Sequence, residues 1–264
     1  MEQSPTAPQM TGSVLFYKNP EPLTPEDHGK LGVKRVDHPF SFAANTHVVP
    51  VAVTEFAPAG LSYPIIFVGE DTKSPLAVMG VKTGENLFVD ESLNFRADTY
   101  VPAFVRRYPF VYANEQGSER LVLCIDRDAD FVTDAYDIPF FENNEPSPYT
   151  SQAMQFCNDF EVERNRTTSF MALLEENDLL DKRTANFTPR NADGSAGTPQ
   201  KVTDYWAVSE DKLAKLSPKK LAELRDNGAL AQIYAHLSSL LGWERLFSLA
   251  LQRASVARPA AANT

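Results

Sequence analysis

The apolar positions of this chain fall into two textures. From Val14 to about Ile138 they come as short runs, "VVPVAVTEF", "YPIIFVG", "LAVMGVK", "NLFVD", "FVYA" and "RLVLCID", separated by Pro, Gly, Asn and Asp. Each run has strand length and is rich in β-branched and aromatic residues. Several are continuous rather than alternating, which predicts burial on both faces. "NEQGSE" between the last two predicts a hairpin turn. From Ser147 the period lengthens. Met154, Phe156, Phe160, Phe170, Leu173 and Leu174 recur at roughly helical intervals, predicting a helix from near Ser151 that bends around "RNRTT". "KRTANFTPRNADGSAGTPQKVTD" predicts a loop, or a hairpin with a strand at "DYWAV". Ser209 predicts an N-cap, Ser217 and Pro218 a helix start, and Gly228 its stop, before a last helical stretch divided near Gly242.

Strands followed by helices predict an α+β fold, with a β-rich, mainly antiparallel N-terminal portion packed with C-terminal helices. The expected organisation is a single domain over 14–254, β-rich over 14–146 and helical over 147–254. A disordered lead-in (1–13) and tail (255–264) are expected to flank it. No glycine-rich loop follows a strand in the manner of a dinucleotide or phosphate site.

Composition narrows the class. With 264 residues, 43% hydrophobic and 23% charged, the chain has the balance of an ordinary globular protein. The net charge of -10 disfavours nucleic acid and anionic membrane surfaces as partners. No stretch approaches the roughly 18–20 apolar residues of a membrane span. The N-terminus lacks a secretory pattern, so a cytoplasmic protein is expected, with export by an uncleaved signal left open. Cys124 and Cys157 form no CxxC pair and are expected to be buried thiols, a disulfide between them being left open. No metal site and no cofactor are expected. His28, in "TPEDHGKLGV", is expected to be a solvent-facing loop residue, and His38, His47 and His236 share no metal-ligand spacing.

The most informative segment is "YVPAFVRRYPFVY", in which Arg106 and Arg107 interrupt an apolar, aromatic run. It predicts a short helix capped by Asp98 or Thr99, with Pro102 in its first turn and Val101, Phe104, Val105 and Tyr108 on one stripe; Pro109 ends it. Consecutive residues lie about 100° apart around a helix, so the two guanidiniums diverge. Each is either a brace paired with an acidic residue or a fork presented to a carboxylate or phosphate of a ligand. Glu55, Glu85, Asp90 and Asp126 end apolar runs and are the candidate acidic partners. The expected binding set is Arg106, Arg107, Glu55, Asn86, Asp126 and Tyr108. No nucleophile elbow or other complete catalytic motif occurs, and no catalytic residue is assigned.

The order "HPFSFAANTHVVPVAVTEF", "YPIIFVG", "GENLFVD", "YVPAFVRRYPFVYA", "LCID" and "IYAHLSSL" resembles the SapC family from about Val14 to about Leu251. The segment from Tyr100 to Phe110 is the most specific part. Phe95 departs from the family's pattern, which has Trp there. The resemblance implies an association with bacterial surface layers and with genes for outer-membrane receptors and halogenase-like flavoproteins. The peptide-transporter permease that shares the name does not fit a chain without a membrane-spanning run. The resemblance supplies no catalytic residues.

The leading expectation is an accessory protein that binds a peptide or protein partner through an arginine-lined site. One alternative is an enzyme with a dispersed site built from Glu55, Asn86, Arg106 and Asp126, with peptide modification as its chemistry. The other is an exported surface-layer component.

Overall fold

A computed structural model describes residues 15–114, 120–191 and 193–256. In chain order come β1 (Pro20–Pro22), α1 (Pro25–His28), β2 (Gly32–Val33), β3 (Val48–Pro50), α2 (Phe56–Gly60), β4 (Ile65–Val68) and β5 (Ser74–Val78). Next are α3 (Ala103–Arg106), β6 (Phe110–Asn114), β7 (Leu121–Asp126), β8 (Val132–Thr133), β9 (Ile138–Pro139), β10 (Phe141–Glu142) and β11 (Glu145–Pro146). The rest are α4 (Pro148–Glu176), β12 (Leu180–Phe187), β13 (Gln200–Val208), α5 (Glu210–Ala214), α6 (Pro218–Asp226), α7 (Ala229–Ser239) and α8 (Gly242–Val256). Every strand pairing among the described residues is antiparallel, and the helices concentrate toward the C-terminus, so the fold is α+β. The expected lead-in, the turn at 115–119 and residues 257–264 of the expected tail lie outside the described residues.

The chain forms two compact units. Unit 1 comprises Met1–Phe42 with Phe104–Val162, and unit 2 Ala43–Ala103 with Glu163–Thr264. Unit 1 holds a sheet of order β1-β7-β6, a second of order β8-β2-β9, and the β10–β11 ribbon. Its core gathers Tyr17, Tyr108, Phe110, Ile125 and Phe140 around Cys124 and Cys157. Unit 2 holds one five-stranded sheet of order β12-β13-β4-β5-β3. Its core includes Phe56, Tyr63, Phe67, Phe88, Leu174 and Ile233.

Local chemistry explains where elements depart from the sequence reading. α4 starts at Pro148 rather than near Ser151, because Ser147 Oγ accepts the Thr150 amide at 3.2 Å and Pro148 takes the first helical position. It is helical throughout its 29 residues, including "RNRTT". The run "NLFVD" forms no strand. Its own polar ends bind backbone locally instead: Asn86 Oδ1 takes the Phe88 amide at 2.9 Å, and Asp90 Oδ1 accepts the Asn94 amide at 3.1 Å, turning the chain just after the run. A lone bridge between Val89 and Phe95 remains. "VVPVAVTEF" leaves the sheet after Pro50, since Val53–Glu55 close a 3₁₀ turn in which Glu55 Oε2 accepts the Ala52 amide at 2.8 Å. The polar stretch after α4 is a hairpin, and its first strand, β12, is as regular as the second apart from a shift at Ala185/Asn186. Ser209 sits at the N-cap of α5, but its side chain makes no capping hydrogen bond.

The end of unit 2 follows the reading closely. Ser217 Oγ accepts the Lys220 amide to start α6, and Gly228 takes φ +78 just after it. α7 and α8 separate where Gly242 passes Tyr63 and Pro64. A Cβ at Gly242 would stand 2.8 Å from Pro64 N, so only glycine fits there without a shift.

Candidate functional site

The arginine pair lies in unit 1, at and just after the end of α3. Pro102, Phe104 and Val105 are buried, which pins this one-turn helix by its apolar side. With that side fixed, the helical angle between neighbours sends one arginine in and the next out. Arg107 goes in and is only 7% exposed. Arg106 goes out, and its guanidinium carbon lies 5.2 Å from the ring centre of half-buried Phe156 on α4.

Arg107 does not meet the acidic partner expected for the pair. No carboxylate among the described residues forms an ion pair with it. Its guanidinium carbon instead lies 4.2 Å from the Phe104 ring centre, 4.4 Å from Phe160 and 5.9 Å from Tyr17. Cation–π contacts are worth about 2 kcal/mol each once water is excluded, so two close rings offset part of the cost of burying the charge. Arg107 Nε is buried with no hydrogen-bond partner. Burial drives the neighbouring Tyr17 phenol upward in pKa, and the Arg107 charge pulls it the other way. Tyr17 also donates its hydroxyl hydrogen to the Phe110 carbonyl. This is an aromatic brace around one cation.

Tyr108 and Asp126, both in the expected set, meet directly. Tyr108 donates to Asp126 Oδ2 at 2.9 Å, the same oxygen accepts the Lys18 amide at 3.0 Å, and Oδ1 accepts the Asn19 amide at 2.8 Å. Asp126 is fully buried at the end of β7 and ties the residues before β1 to that strand. Burial first and the Asp126 carboxylate second raise the Tyr108 phenol far above its ordinary pKa. The pair is therefore a neutral phenol donating to a carboxylate with three donors.

Glu55 and Asn86 belong to unit 2, and each is held by backbone. Glu55 Oε1 accepts Tyr100 Oη–H at 2.9 Å and the Ala103 amide at 2.7 Å, while Oε2 holds the Ala52 amide. Such a carboxylate joins its own turn to the segment that leads into α3. Asn86 is fully buried, donates to the Ala43 carbonyl at 3.0 Å and accepts from Phe88.

Two histidines carry more structure than their sequence context suggested. His28 is not a solvent-facing loop residue but is 1% exposed on α1. Its Nδ1 accepts the Thr24 amide at 3.2 Å, which leaves the Nε2 hydrogen for Glu21 at 2.9 Å. His236, on α7, is fully buried; its ring lies 4.3 Å from Phe67 at 19° and 6.4 Å from Phe56. Cys124 and Cys157 are buried free thiols, both pushed up to about 11 by burial. Among the described residues, no group of three or more His, Cys, Asp or Glu could hold a metal ion, and no helix is long and apolar enough to cross a membrane.

Sequence reasoning found the arginine pair but not the rings that receive Arg107. Tyr17 and Phe160 lie in distant chain segments, and only the unusual aromatic density of the neighbourhood could have signalled them. Fold and site together define an α+β protein with a cation held in an aromatic core beside an outward arginine. The chain belongs to the SapC family, whose model matches residues 23–246. No curated protein and no solved structure matches it significantly.

Proposed function

We propose that this SapC protein is a non-catalytic binding protein, and that Arg106 engages an anionic group of a peptide or partner protein. One observation carries the reading: Arg106 is exposed and stacked on Phe156, while Arg107, next to it, is buried among rings. A guanidinium laid over an aromatic face loses little freedom when it forms a two-pronged hydrogen bond to a carboxylate. Arg107, Tyr108 and Asp126 serve as the brace that fixes the presenting turn, and Glu55 and Asn86 hold the segments of unit 2. A cytoplasmic accessory role near surface-layer or outer-membrane receptor systems follows from the associations of the family. Nucleic acid is a poor partner for a chain of net charge -10.

The test is fluorescence anisotropy with a labelled glutamate-rich hexapeptide, alongside its glutamine analogue. The wild type is expected to favour the acidic peptide. Arg106→Ala is expected to weaken that binding about tenfold, the worth of one charge-assisted contact, with an unchanged melting temperature. Arg106→Lys should recover part of the loss, because it keeps the charge but not the fork. Equal affinity for both peptides, or indifference to Arg106→Ala, refutes the proposal.

A further inference from the structure

A cavity of about 590 Å³ opens within unit 2. Its walls come from the turn after β5 (Val81, Lys82, Glu85), the β12–β13 hairpin (Phe187, Arg190) and the last turns of α8 (Arg253). That volume falls within the roughly 300–1,000 Å³ of small-molecule sites. Its charge runs against the protein as a whole: Lys82, Arg190 and Arg253 face one carboxylate, Glu85, in a chain of net charge -10.

Two of these groups are set for a ligand. Glu85 Oε2 is buried and has no hydrogen-bond partner. A carboxylate oxygen withdrawn from water without a donor is costly, and an N–H in the cavity would relieve it. Arg253 is half-buried and oriented by backbone alone, donating to the Asn86 carbonyl at 2.9 Å and the Val89 carbonyl at 2.7 Å. No described carboxylate pairs with Arg253 or with exposed Lys82. The two cations thus await an anionic group on the same ligand that feeds Glu85 a donor. Val81 and Phe187 supply apolar surface for a side chain.

We infer that this cavity binds a small zwitterion, an amino acid or short peptide whose nitrogen donates to Glu85 and whose carboxylate meets Lys82 and Arg253. The inference stands apart from the role proposed for Arg106.

Calorimetry on the full chain tests it with the tripeptide Ala-Phe-Ala in four forms: free, N-acetylated, C-amidated and doubly blocked. The free form is expected to bind, and blocking either end to weaken it about tenfold. Glu85→Gln should abolish the penalty of N-acetylation, and Lys82→Ala should reduce the penalty of amidation, Arg253 keeping the rest. Arg106→Ala should leave all four affinities unchanged, which separates failure here from failure of the Arg106 site. No heat from any form, equal affinity for all four, or tighter binding of inorganic phosphate or AMP than of the free tripeptide overturns the inference. Wild-type melting curves for Glu85→Gln and Lys82→Ala show that the variants fold.

Discussion

His236 makes the stability of unit 2 depend on pH in a way that can be isolated. Its ring is sealed between Phe67 of β4 and Phe56 of α2, and neither nitrogen has a hydrogen-bond partner. The Ile65 amide beside it is spent on Ser239 Oγ at 3.1 Å. Burial first, and the Arg183 guanidinium of β12 second, hold the ring down to about 3 against its ordinary 6.5. Above pH 6.5 both folded and unfolded rings are neutral, and the group takes nothing from stability. As pH falls from 6.5 toward 3, the unfolded chain binds a proton that the folded ring refuses, so stability is lost across that window. Between pH 7.5 and 5.5 this amounts to about 1.4 kcal/mol, and in the limit below pH 3 to roughly 5 kcal/mol. His236→Leu keeps an apolar side chain of similar size at the site and cannot titrate. Urea unfolding followed by tryptophan fluorescence reports on unit 2, because Trp206 and Trp243 both belong to it. The wild type should lose about 1.4 kcal/mol more than His236→Leu on going from pH 7.5 to 5.5, since every carboxylate is common to both. At pH 7.5 the variant should be as stable or more so, having shed two buried polar atoms without partners. Identical losses of stability in the two proteins over this range would refute the reasoning.

Two further outcomes follow from particular contacts. Asp126→Asn turns one of the two acceptor oxygens into an NH₂ that faces a donor, the Asn19 amide on one side or the Lys18 amide and Tyr108 hydroxyl on the other; unit 1 should lose about 2–4 kcal/mol, seen as faster hydrogen exchange at the Lys18 and Asn19 amides, and unchanged protection would contradict it. Gly242→Ala drives a Cβ to 2.8 Å from Pro64 N and 2.9 Å from the Tyr63 carbonyl carbon, neither of which can swing aside. The tryptophan-detected melt should fall by the equivalent of about 1–3 kcal/mol, and an unshifted melt would show that α8 can slide at no cost.

Much of the fold was legible because its signals are local. Ser217 followed by Pro218, and Gly228 at φ +78, mark α6 by capping chemistry that needs no tertiary partner. The runs at β4, β5, β6 and β7 are strands because β-branched and aromatic residues between turn formers have few other stable arrangements. "NLFVD" misled for an equally physical reason: its composition suits a strand, but side chains of Asn86 and Asp90 bind backbone locally, and composition does not weigh that competition. His28 misled because a histidine among Pro, Glu and Asp looks solvated. Only the Glu21 carboxylate and the Thr24 amide, brought together across α1, show that both ring nitrogens are satisfied in a buried place.

The sequence by itself determined the α+β class, most of the strands, the helical C-terminal region and the family. It also showed that two adjacent arginines must point in different directions, since that angle is a property of any helix. Which of them turns inward was decided only by tertiary structure, because the rings around Arg107 come from three separate chain segments at Tyr17, Phe104 and Phe160. The sealed ring of His236 and the charge-lined cavity at Glu85 have the same origin. Burial and low dielectric are properties of assembled neighbours, and no single stretch of residues carries them.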